Sequence, residues 1–141
     1  MRVVVDTNVL VSGMLCPYSP SGEVVRMLSS GDPVPCFDAR ILTEYREVLP
    51  RPKFRLDPAK VSLFLDFIAH HGEVCAGAPL SKPLPDPDDE PFLEVAVAGQ
   101  VECLVTGNLS HFPADRRAGV RVVTPRQFLE LWKSRRTGRS S

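Results

Sequence analysis

A chain of 141 residues with 43% hydrophobic and 24% charged residues has the balance of a single globular domain that can bury a core without staples. No apolar run is long enough to cross a membrane, and Asp6 interrupts the N-terminal run before it could serve as a signal peptide. A cytoplasmic protein is therefore expected. The formal charge is zero, yet from Ser110 onward eight Lys or Arg stand against two acids, and before it nine stand against fifteen. An acidic body with a basic end suits a phosphate backbone meeting an acidic, metal-loaded centre, although residues 135–141 taken alone read rather as a solvated tail.

The four cysteines are scattered and form no C-x-x-C pair. Cys36, Cys75 and Cys103 lie in apolar, strand-like surroundings and read as reduced core residues. His70, His71 and His111 lack metal-ligand spacing, which argues against zinc.

The chain opens on Val3-Val4-Val5-Asp6-Thr7-Asn8. Three consecutive valines predict a strand buried on both faces, as inside a parallel sheet. Asp6 is then either a cap of the following turn, helped by Thr7 and Asn8, or a ligand-binding carboxylate at the strand's carboxyl end. Residues 12–22 read as a turn-rich link, with Ser21 as the cap of a helix that Gly31 stops. Val34 to Phe37 predicts a second strand. Ile41, Leu42, Tyr45, Val48 and Leu49 form one apolar helix face, which places Glu44 at its rim, able to reach a cleft. Arg51 to Arg55 is a basic, proline-broken connection, either phosphate-touching or simply a surface loop.

Asp57-Pro58 starts a helix with Val61, Phe64, Leu65 and Ile68 on its main face. Leu63 and Phe67 on the opposite side predict a subunit interface, hence a homodimer. Glu73 to Ala76 is a third strand. Residues 79–91 hold five prolines and four acids, too proline-dense for a helix interior or strand. Pro91 suits the first turn of the next helix, so Asp88, Asp89 and Glu90 crowd a helix N-terminus. The macrodipole favours one carboxylate there, while three adjacent ones repel and would welcome a divalent cation. Capping by Asp88 explains only one of them. Val101 to Thr106 is another buried strand, ending in Gly107-Asn108. Val120 to Val123 is the last strand, and Thr124-Pro125-Arg126-Gln127 is a capping box opening the final helix. The domain is expected to span residues 1–134, followed by a basic tail over 135–141.

Strands alternating with helices predict an α/β fold with a parallel sheet, strands one and four central. In that arrangement Asp6, Asn108 and the acidic helix start share one crevice.

These motifs, V-V-D-T-N-V-L at 4–10, a helical Glu44, D-P-D-D-E-P-F-L-E-V-A at 86–96 and L-V-T-G-N at 104–108, resemble the PIN-domain ribonucleases, in particular their toxin branch from toxin–antitoxin systems. The resemblance implies a three-layer α/β/α fold with a central parallel sheet of strand order 3-2-1-4-5. It implies Mg2+- or Mn2+-dependent cleavage of RNA, and a toxin role implies a cognate antitoxin protein. Carried over by position, Asp6, Glu44 and Asp89 are the metal-binding acids, and Thr7 and Asn8 support the first carboxylate. Asn108 stands where the family's fourth acid usually follows the T-G turn. It is a neutral oxygen donor expected to bond a water of the ion's shell, with Asp88 or Glu90 as alternative sources of charge.

Two other readings compete. A phosphatase of the haloacid dehalogenase type also starts with a strand ending in Asp, but it needs a second Asp where this chain has Asn8. A catalytically weak or inactive RNA- or partner-binding domain is the other, favoured by Asn108.

Overall fold

The computed structural model describes residues 1–139, with the side chains described through residue 135. Five strands form one all-parallel sheet: β1 (Arg2–Val5), β2 (Val34–Phe37), β3 (Glu73–Val74), β4 (Cys103–Val105) and β5 (Val122–Val123), in the order β3-β2-β1-β4-β5. Six helices flank it: α1 (Thr7–Leu15), α2 (Pro20–Ser29), α3 (Ala39–Val48), α4 (Pro58–His71), α5 (Glu90–Gly99) and α6 (Pro125–Arg139). The expected α/β/α architecture and strand order are those observed.

β1 is central because it has no polar face to offer. Val3, Val4 and Val5 are all essentially inaccessible, and β2 and β4 bracket them with Val3 opposite both Pro35 and Cys103. The chain goes one way from β1 to β2 and β3, then returns to the other side for β4 and β5. The switch point lies between β1 and β4, where crevices open in such sheets. The core continues through Phe92 and Leu93 of α5, Ile41 and Tyr45 of α3, and Phe128 of α6.

The expected link over 12–22 is a correction. Most of it is helical, in α1 and the start of α2, and the cap of α2 is Ser19, whose hydroxyl accepts from the Gly22 N–H at 3.1 Å. Gly13 and Gly22 are not turn residues but places of close approach. A Cβ on Gly13 would lie 2.5 Å from the Ser21 carbonyl oxygen, and one on Gly22 would lie 2.2 Å from that of Pro17. Glycine here lets α1 and the start of α2 touch backbone to backbone.

Other elements keep their expected places with shorter bounds. β3 has two exposed residues rather than four, and β4 and β5 begin two residues later than the hydrophobic runs do. The capping box is present: Thr124 N–H donates to Gln127 Oε1 at 2.9 Å, and Gln127 N–H to Thr124 Oγ1 at 3.1 Å. α6 continues past Ser134 into the stretch read as a tail, and residues 140–141 of that stretch lie outside the described residues. All four cysteines are free, with Cys36 and Cys103 buried, Cys75 half-buried and Cys16 exposed. No helix of the described residues is long and apolar enough to cross a membrane.

Candidate active site

The parallel register sets the first acid. Val5 of β1 pairs with Val105 of β4, so the residues that follow each, Asp6 and Thr106, emerge side by side at the carboxyl edge. Thr106 Oγ1 donates to Asp6 Oδ2 at 2.8 Å, and the Asp6 N–H reaches the Val105 carbonyl at 2.9 Å. Asp6 is only 5% exposed, yet its side chain does not cap α1. Asn8 Nδ2 donates to the same Oδ2 at 3.3 Å, while Asn8 Oδ1 accepts from the Gly107 N–H at 3.0 Å, tying α1 to the turn after β4. Burial raises the Asp6 pKa. The Thr106 hydroxyl opposes this most, followed by the Thr7 N–H, His111 and Asn8.

α3 is placed by a buried phenol. Tyr45 is 2% exposed, and its hydroxyl donates to the Val5 carbonyl, the last of β1 before Asp6. Burial, then repulsion from Asp6 and Glu44, raises its pKa far above that of an ordinary tyrosine, so it remains a donor. Its neighbour Glu44 is thereby brought to the crevice, where the Thr7 hydroxyl donates to Glu44 Oε2. Thr7 thus supports the second acid with its side chain and the first with its backbone. Burial pushes the Glu44 pKa up; the Thr7 bond opposes it, and repulsion from Asp6 and Asp88 adds to it.

The acidic run divides its labour. Asp86 Oδ1 accepts from the Asp88 N–H at 2.9 Å and so caps the turn Pro87–Asp89, while the residue preceding α5 is Asp89 and not Asp88, the cap weighed from the sequence. Glu90 Oε2 accepts from the Leu84 N–H at 2.9 Å and ties down the proline-rich loop. Glu94, also buried, pairs with Arg40 at 2.8 Å. Asp89 alone turns inward, 9% exposed, with its pKa pushed up to about 6 by burial first and repulsion from Asp6 second. His111 Nδ1 comes within 3.2 Å of Asp89 Oδ2 without the alignment a hydrogen bond needs, which leaves that buried oxygen without a hydrogen-bond partner.

Asn108 also stands at this edge, and both ends of its amide are engaged. Its Oδ1 accepts from Ser110 Oγ at 2.7 Å, and its Nδ2 meets His111 Nε2 at 2.8 Å. The imidazole is therefore held between Asn108 and Asp89. Thr106 and His111 are the two residues at this edge that sequence reasoning missed. Thr106 carried a signal, since a threonine directly after β4 falls level with the residue directly after β1.

Asp6 raises the proton affinity of both Glu44 and Asp89, and Glu44 adds to that of Asp89. Among the described residues, no three His, Cys, Asp or Glu side chains already surround one metal position. The donors nevertheless suit a hard divalent cation. They are carboxylate oxygens, one of them buried without a hydrogen-bond partner, and Mg2+ or Mn2+ needs only one or two carboxylates when waters and substrate phosphate complete its shell.

The comparisons decide the family. A family model described as PIN domain matches residues 2–110. The chain belongs to the PIN-domain family. No curated protein matches it. The PIN match spans β1 to the end of β4 and the turn beyond it, so Asp6, Glu44, Asp89 and Asn108 all fall within it. PIN domains are generally metal-dependent nucleases, and the sheet order found here is that of a nuclease-type fold.

Proposed function

We propose that this PIN domain is a Mg2+- or Mn2+-dependent endoribonuclease and the toxin of a toxin–antitoxin pair. The observation that supports the reading most is the meeting of Asp6, Glu44 and Asp89 at the β1–β4 switch point, with a buried Asp89 oxygen lacking a hydrogen-bond partner. Asp6 and Asp89 are the proposed principal ligands, and Glu44 holds the nucleophilic water or a second ion. A bound divalent cation supplies activation of a water at neutral pH and compensation of charge on the scissile phosphate. Thr106 and Asn8 both donate to Asp6 Oδ2 and so fix its carboxylate at the carboxyl edge of the sheet. Thr7 orients Glu44 in the same way. The toxin role rests on the motif resemblance, and a small DNA-binding protein encoded beside this one would support it.

Asn108 favours a second reading, a PIN-fold domain that binds RNA or a partner with weak or no catalysis. It brings no charge where relatives carry an acid, and its amide is occupied by Ser110 and His111. Cleavage of single-stranded RNA in Mn2+ separates the two. Asp6→Asn is expected to lose more activity than the roughly 10–100-fold typical of losing a supporting partner. Full activity in that variant overturns the proposal.

A further inference from the structure

Beside the acids lies a groove that the chemistry above does not use. It encloses about 540 Å3 between α1, α3 and the short turn Pro52–Phe54, within the roughly 300–1,000 Å3 of ligand clefts. Thr7 and Glu44 form the end shared with the acid cluster, and Val11, Leu15 and Val48 form an apolar wall. Leu15 is 47% exposed, a large apolar side chain left open to solvent. Phe54 and Arg51 close the far end, with the Lys53 ammonium 5.2 Å from the centre of the Phe54 ring. Arg51, Lys53 and Arg55 are all exposed, and no acid lies among residues 51–56.

We infer that this groove seats an unpaired nucleobase of a single-stranded RNA, next to the phosphate that a cation bound at the acids would hold. This rests on the ribonuclease reading of the acid cluster. An aromatic ring at the end of an apolar slot offers stacking to any base, and the cations beside it match the phosphates on either side. A docked protein segment would use the apolar wall but leave three adjacent cations without counterparts. A duplex is a poor fit, because its bases stay stacked inside and present no face to the slot.

The test is fluorescence anisotropy with a short labelled single-stranded RNA in Ca2+ in place of Mn2+, so that the acids do not repel the phosphate, with the RNA confirmed intact on a gel after each reading. Phe54→Ala is expected to weaken binding about tenfold, Phe54→Trp to preserve it, and an oligonucleotide with abasic positions to bind the unaltered protein about tenfold less well. The two losses should not add, since each removes one side of the same contact. Lys53→Gln should lower the slope of log K against log salt by about 0.7. The abasic comparison needs no substitution, so it stands even where Phe54→Ala impairs folding. Equal binding of abasic and intact RNA overturns the inference, as does an absence of RNA binding. Unchanged binding by a folded Phe54→Ala variant also overturns it and leaves the groove to a protein segment. Phe54-dependent binding without cleavage in Mn2+ would instead leave the base seat standing and remove the nuclease reading.

Discussion

Asp89 keeps its proton up to about pH 6, whereas its ordinary value is 3.8. An acid raised in this way binds its proton more tightly folded than unfolded. The stability this contributes is complete below the unfolded value and is lost as pH rises through about 6. In EDTA the protein should therefore weaken between about pH 4 and pH 7. Asp89→Asn should flatten that fall and stabilise the metal-free protein at neutral pH by about 1–2 kcal/mol, after allowance for solvent screening. Urea unfolding at a series of pH values checks it, and a variant less stable than the parent at neutral pH refutes it. The residues themselves differ in how legible they were. Asp6 is open between a turn cap and a ligand on its own stretch, and the motif resemblance singles out Asp89 from its acidic neighbours Asp88 and Glu90. His111 is not legible, because its two partners come from residues whose juxtaposition only the fold creates.

Among the elements, α1 was missed outright. Ser, Gly and Pro between residues 12 and 22 resemble turn punctuation, and a sequence offers no means of telling a glycine that turns from one that admits a neighbouring helix. Gly13→Ala tests that difference. Alanine is the better helix former by about 1 kcal/mol, so an uncrowded glycine would gain stability on substitution. With Ser21 backbone only 2.5 Å from the new methyl, we expect a loss of about 1–3 kcal/mol, read as a lower denaturation midpoint with unchanged slope. By contrast, the final helix start was legible to the residue, since a capping box is a local arrangement that four residues complete by themselves. The helix holding Glu44 was legible as an amphipathic face. That Tyr45 fastens it to the end of β1 was not, as the bond spans forty residues.

Across the whole molecule, apolarity marked strands one and four as central, whereas the full strand order came from the motif resemblance. The two most hydrophobic runs became the neighbours β1 and β4, and the acids came together as a consequence. Repulsion among those acids sets the unliganded fold against itself at neutral pH, so Mn2+ should stabilise the whole domain. At about a hundred times the dissociation constant the gain is about 2.7 kcal/mol, or several degrees in Tm for a chain of this size. Thermal denaturation against Mn2+ concentration should show it for the parent and much less for Asp6→Asn. An identical rise in both would place the ion elsewhere.

Both margins of the sheet are two residues long, β3 on one side and β5 on the other. Glu73 on the β3 margin is tied to Arg2 by a 2.8 Å ion pair. So little free ladder gives another chain almost nothing to extend, which guards the fold against edge-to-edge polymerisation. Leu63, 72% exposed, stands away from both margins on α4.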